Sequence, residues 1–401
     1  MNELAERLAE LRDGGLYRRT RLVSGPQGPR VLLDGKPVLL MCSNNYLGFA
    51  EHPRVREAAA EAAMRWGAGS GASRLVSGTM TIHERLEARL AEFEGAEACV
   101  LFGSGYLANI GVVGALGGPD RVIFSDALNH ASIIDGCRLA RARRFVYGHC
   151  DLDHLEWGLR EHRGSGVIVT ESVFSMDGDV APLTRIVELA RRYGALVVVD
   201  EAHATGALGP GGRGAVAEAG LEAEVDVRIG TLSKALGSYG AYACARREIV
   251  ELFINSARAL IFSTAPPPPS IAAALAALEL LIEQPRRPEK LQGAAVLLRR
   301  ELHAAGVAVP DGRTQIIPLI VGDAGAAVDL CEALLARGVF AQAIRPPTVP
   351  EGSSRLRLTV MASHTATEMT AVATALADAI ADLGVGVVPA PAPVVRIVRA
   401  A

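Results

Sequence analysis

The chain has 401 residues, half of them apolar and 21% charged, with 41 basic against 44 acidic side chains for a net charge of −3. Such a balance suits a globular protein larger than one ordinary domain and excludes a disordered chain. It offers no basic field for a nucleic-acid backbone, and its apolar stretches break well short of the roughly 20 residues a membrane span needs. Neither nucleic acid nor membrane is therefore an expected partner.

The opening stretch, MNELAERLAELRDGG, has the pattern of a charged amphipathic helix and lacks the apolar centre of a signal peptide, which points to the cytosol. A helix ending near Gly14-Gly15 is predicted, then a basic turn, Tyr17-Arg18-Arg19, and a β-prone segment from Arg30 to Leu40 with a turn at Asp34-Gly35-Lys36-Pro37. Apolar residues at three- and four-residue steps predict helices over 53–66 and 80–94. Short apolar runs predict strands at Ala98–Phe102, Arg121–Ser125, Arg144–Tyr147, Val167–Thr170, Leu196–Asp200, Val225–Ile229 and Ala241–Ala245, with helices such as Pro182–Tyr193 between them. Residues 1–45 thus read as an N-terminal helix and β segment, and 46–280 as a three-layer, mostly parallel α/β domain. After the proline run Pro266–Pro269, a long Ala/Leu helix leads to Gln315–Val321, helix 324–337, Val339–Ile344 and Arg355–Val360. These predict a smaller α+β domain over 281–384. The Val-, Pro- and Ala-rich residues 385–401 read as a tail extension.

Six cysteines are scattered without a CxxC pair, the pattern of reduced, buried thiols and not of a metal site. Only three lysines occur, Lys36, Lys234 and Lys290. A lysine amine can deprotonate and attack carbonyls where guanidinium cannot, so amine chemistry has three candidates in this chain.

Ligands of an open parallel sheet sit beyond the carboxyl ends of its strands, so the residues after each predicted strand carry the functional reading. Gly103-Ser104-Gly105-Tyr106 opens a helix with small residues, a pattern that cradles phosphate or simply makes a tight turn. Asp126-Ala127-Leu128-Asn129-His130 supplies an imidazole that could equally be a satisfied polar residue at a helix start. Glu171 to Asp179 includes Ser175; Asp200-Glu201-Ala202-His203 ends an apolar run on a carboxylate that is costly to leave unpaired. Gly230-Thr231-Leu232-Ser233-Lys234 brings one of the three lysines just past a strand, where the ordinary reading is a solvated loop lysine. Together these loops meet the needs of pyridoxal 5'-phosphate: an amine for its aldehyde, donors for its phosphate and an anion for its ring nitrogen.

Gly230-Thr231-Leu232-Ser233-Lys234, Asp200-Glu201-Ala202-His203, Asp126 to Ser132 and Cys42-Ser43-Asn44-Asn45-Tyr46-Leu47-Gly48 resemble the α-oxoamine synthases, fold-type I pyridoxal-phosphate enzymes. The resemblance covers about residues 15–385. Ala343-Ile344-Arg345-Pro346-Pro347-Thr348-Val349-Pro350, followed by Arg355-Leu356-Arg357, is most similar to the branch that joins L-alanine to a pimeloyl thioester, with loss of carbon dioxide, in biotin synthesis. The resemblance implies that Lys234 binds the cofactor as a Schiff base and moves the substrate Cα proton. It implies that Asp200 pairs with the ring nitrogen, that His203 and Ser175 meet the phenolic oxygen, and that His130 stacks on the ring. Gly105, Tyr106 and Thr231 would line the cofactor and phosphate site. Asn44 and Arg357 would hold the alanine carboxylate, a task suited to a bidentate guanidinium, and Arg18, Thr348 and His130 would contact the acyl substrate. It also implies a homodimer with shared sites, in which Ser263-Thr264 reaches the partner's phosphate. Two departures stand out: the tail beyond about 385 has no counterpart, and Tyr106 stands where some relatives have Phe.

The acyl carrier, coenzyme A or acyl carrier protein, stays open. So does a glycine- or serine-dependent relative such as 2-amino-3-ketobutyrate CoA ligase, since amino-acid activation is common to the family. A nicotinamide dehydrogenase would lack its glycine fingerprint and leave Lys234 idle. A non-catalytic scaffold of this fold would carry inert residues at positions 200 and 234.

Overall fold

The computed structural model describes residues 2–162 and 166–387; of the expected tail, 388–401 lie outside the described residues. The chain opens with helix Asn2–Asp13 and the strands β1 (Val23–Ser24), β2 (Arg30–Leu33) and β3 (Lys36–Leu40). Seven strands follow: β4 (Ala98–Phe102), β5 (Val122–Asp126), β6 (Arg143–Tyr147), β7 (Gly166–Glu171), β8 (Leu196–Asp200), β9 (Val227–Thr231) and β10 (Ala241–Ala245). The last four are β11 (Ile316–Gly322), β12 (Val339–Phe340), β13 (Ala343–Ile344) and β14 (Ser354–Thr359).

Two compact units result. The larger holds Phe49–Ser175 and Asp179–Pro288, and its sheet runs in the order β4-β10-β9-β8-β7-β5-β6. Only β10 runs against its neighbours. Strands β5, β7 and β9 are buried at every residue, which is why β5 and β7 open as unbroken apolar runs; in β9 the buried Arg228 is paired with Glu94. The parallel strands β5, β7, β8 and β9 end on Asp126, Glu171, Asp200 and Thr231, so the polar residues gather along one edge of an apolar sheet. Helix Gly105–Leu116 packs closely on helix Ala131–Leu139: a Cβ on Gly136 would lie 3.1 Å from the Asn109 carbonyl.

The smaller unit combines the chain through Gly48, Met176–Gly178 and the residues from Glu289 on. The N-terminal segment expected as a unit of its own is therefore joined to the C-terminal one. Its strand β3 pairs in parallel with β12, so that one sheet reads β1-β2-β3-β12, and a second reads β11-β14-β13. The single strand expected over Val339–Ile344 is two, because β12 pairs with β3 whereas β13 pairs with β14. Helix Ala366–Leu383 begins with a capping box, in which Thr365 and Glu368 satisfy each other's backbone N–H groups.

Candidate active site

In the larger unit, Lys234 follows β9 and its Nζ lies 2.8 Å from His203 Nε2, in the turn after β8. The strand ends two residues later than the sequence suggests, at Thr231 and not Ile229. Gly230 belongs in it because the ring of Tyr242 on β10 lies where a side chain would stand, 2.2 Å from the position of a Cβ. Thr231 is thus the last strand residue, and its Oγ1 lies 2.7 Å from Ser233 Oγ. A Cβ on Gly105 would meet that Thr231 side chain at 3.9 Å, so the loop after β4 and the end of β9 form one small-residue cradle. Ser104 caps helix Gly105–Leu116 by accepting from Leu107 N, and leaves the first N–H groups of the helix for an anion.

Asp200 is 6% exposed, and among the described residues its carboxylate accepts only from neutral amides, Asn109 Nδ2 at 2.7 Å and Ala202 N at 2.8 Å. Asn109 also donates to Ser132 Oγ at 2.9 Å, and that oxygen lies 2.7 Å from His130 Nδ1. His130 keeps an exposed face, yet enclosure of the rest lowers its pKa, against the raising influence of Asp200. Glu171, paired in register with Asp200, is raised to about 8, first by burial and then by the Asp200 charge. Ser175 is buried. Tyr106 is 43% exposed and donates from its hydroxyl to Asp135. Thr264 is exposed and bridges Ser73 through the backbone.

A buried carboxylate fed only by amides, a lysine amine held by an imidazole, and a glycine–threonine cradle at a helix start fit pyridoxal phosphate group by group. Beside them, Asp126, His149 and Cys150 bring donor atoms within 4.8 Å of one another. Each His149 nitrogen is already taken by a carboxylate, Nδ1 by Asp126 at 2.9 Å and Nε2 by Asp179 at 2.8 Å, so the cluster is a closed ion-pair bridge.

In the smaller unit, Arg357 on β14 is 6% exposed and donates to Asn44 Oδ1 at 3.1 Å and to the Tyr46 hydroxyl at 3.3 Å. Tyr46 donates in turn to Asn44 Oδ1 at 3.0 Å, which makes a closed triangle whose third member sequence reasoning left unassigned. Arg18 donates to the carbonyl of Pro346 at 2.8 Å, and Arg345 returns bonds to the carbonyls of Gly15 and Tyr17. Thr348, in the same Arg345–Pro350 loop, is exposed. Asn109 and Ser132 were not assigned from the sequence; they lie in the helices that the loops after β4 and β5 open, with no pattern of their own to mark them.

Residues 36–376 match the profile of the family described as Aminotransferase class I and II. The 8-amino-7-oxononanoate synthase of Geobacter sulfurreducens is 51% identical over 387 residues, covering 95% of this chain and 99% of that protein. That of Anaeromyxobacter dehalogenans is 49% identical over 370 residues, covering 92% and 93%. Among solved structures, a serine palmitoyltransferase from S. paucimobilis with bound PLP and myriocin is 31% identical at a TM-score of 0.90, covering 95% of this chain and 98% of that one. The 8-amino-7-oxononanoate synthase of Francisella tularensis is 25% identical at a TM-score of 0.75, covering 87% and 99%.

Proposed function

The chain belongs to the aminotransferase class I and II family, and from that premise we propose that it condenses L-alanine with a pimeloyl thioester, releasing carbon dioxide and 8-amino-7-oxononanoate. It is a pyridoxal-phosphate acyltransferase of fold-type I. When bound, the cofactor supplies an aldehyde for amine exchange and a protonated ring that takes up the electron pair released at the amino acid's Cα.

The chain's own groups do the rest. Lys234 holds the cofactor and then moves the Cα proton, and His203, 2.8 Å from its Nζ, orients that amine. Asp200 faces the ring nitrogen, its carboxylate held in place by two neutral amides. Gly105, Tyr106 and Thr231 receive the phosphate end, and Ser175 and His130 complete the ring contacts. Asn44 and Arg357 take the alanine carboxylate, and Arg18 and Thr348 the acyl group. A second copy of the chain is the expected partner, its Thr264 completing the phosphate site; exposed Leu75, Val76 and Phe262 in this unit support such a contact. No helix among the described residues is long and apolar enough to cross a membrane, and all six cysteines are free thiols, in keeping with work in the cytosol.

The observation that carries this reading is the Lys234–His203 pair at the sheet edge, in a chain half identical along its length to relatives that share one name. The test is product identification by mass spectrometry after the holoenzyme meets pimeloyl-CoA, or pimeloyl-acyl carrier protein, with alanine, glycine or serine. Alanine should give 8-amino-7-oxononanoate faster than the other two give their products. Equal or faster turnover with glycine or serine overturns the assignment of substrate and favours the neighbouring branch.

A further inference from the structure

We propose that Asn109 and Ser132 form a relay through which the Asp200 carboxylate fixes the tautomer of His130, which makes them positioning residues of the site. The inference rests on the reading that Asp200 and His130 serve a bound pyridoxal phosphate.

The carboxylate sets the direction of the first two bonds, and the Ser132 backbone N–H, which needs a lone pair on His130 Nδ1, sets that of the last. An ionised carboxylate can only accept, so the Asn109 side-chain atom 2.7 Å from Asp200 Oδ2 is the amide nitrogen. Its second N–H reaches Ser132 Oγ at 2.9 Å, so that hydroxyl is an acceptor at this contact. The hydroxyl's own hydrogen then has His130 Nδ1 before it, 2.7 Å away. The backbone N–H of Ser132 donates to the same Nδ1 at 3.3 Å. With two donors converging on Nδ1, the ring's single proton in its neutral form stands on Nε2.

The two middle members cannot exchange these partners for water. Asn109 is 2% exposed and Ser132 is fully buried, and the residues that unite them come from different helices. Gly136 lets those helices approach closely enough for the bond to form, since a Cβ there would press on the Asn109 carbonyl at 3.1 Å. Asn109 Oδ1 finds no hydrogen-bond partner among the described residues, so the amide is held by its two donor bonds alone. The consequence is chemical: an imidazole locked with its proton on Nε2 offers a donor on its outer edge, whereas the other tautomer offers an acceptor there.

The test is 15N NMR of histidine-labelled protein, with the His130 signals assigned from a His130→Gln control. Spectra are taken with pyridoxal phosphate bound and after its removal. Wild type should show an unprotonated Nδ1 and a protonated Nε2. In Ser132→Ala and Asn109→Ala, loss of one neutral hydrogen bond should move the tautomer ratio about five-fold toward Nδ1–H. Ser132→Thr, which keeps the hydroxyl, should restore the wild-type ratio. A wild-type ring protonated on Nδ1 overturns the relay, as does a Ser132→Ala protein with unchanged His130 signals. Borohydride fixation of the cofactor followed by peptide mapping is run on the same samples. Absence of label at Lys234 would count against the functional reading alone, because the imidazole signals judge the relay with or without cofactor.

Discussion

Lys234 differs from the chain's two other amines in its surroundings. Lys36 and Lys290 are exposed, whereas Lys234 is half-buried behind a strand end and touches His203. The proposed role asks this amine to act as a general base. Replacing Lys234 with Ala should abolish the visible absorbance of the cofactor–lysine bond and lower kcat by about 10²–10⁴-fold or more. Absorbance spectroscopy and steady-state assay check both; a variant that keeps the band and its turnover would contradict the role. At this scale the proposed site was legible where a single residue would carry the chemistry, as with a scarce lysine or a carboxylate closing an apolar run. It was silent where the chemistry is a contact. Asn109 meets Asp200 across 91 positions, and Tyr46 meets Arg357 across 311, with no local pattern to announce either pair.

Among the elements, β9 and β10 show how much packing a strand demands. The sequence reads Gly230-Thr231 as loop because glycine is a poor strand former, yet the residue sits directly opposite Tyr242, whose fully buried ring fills its face. Tyr242 cannot yield, since its hydroxyl donates to Glu94 at 2.6 Å. Gly230→Ala should therefore cost about 1–3 kcal/mol by overpacking, or prevent folding. Gly114 offers the contrast: it is exposed on helix Gly105–Leu116 with nothing within 4 Å of an added Cβ. Gly114→Ala should raise stability by about 0.5–1 kcal/mol through helix propensity. Urea denaturation of the two variants checks the opposite signs. The remaining strands of the large sheet were legible to within a residue or two; covering helices leave β7 and β10 no polar face, whereas the edge strand β6 is mostly exposed and was legible from its short apolar end.

For the whole molecule, stability against pH follows from the His149 bridge. Burial disfavours the imidazolium, but hydrogen bonds to Asp126 and Asp179 outweigh it and hold the pKa at about 12, against 6.5 for the free side chain. A raised pKa stabilises the fold fully below about 6.5, and that contribution fades as pH rises toward 12. Denaturation midpoints of wild type and His149→Gln should thus differ most near pH 6 and draw steadily together as pH rises toward 12; a constant difference would show that His149 does not titrate in this way. The division into units was less legible than the strands. Alternation of helices and strands revealed the α/β domain, but no local signal shows that β3 awaits a partner 300 positions further on, Leu39 beside Val339. That separation has a consequence for biogenesis. At a translation rate of roughly 5–20 residues per second, the hairpin bearing Asn44 at its end waits about 15–60 s on the ribosome before its mate emerges. Until then the nascent N-terminal hairpin presents an unpaired edge to its surroundings.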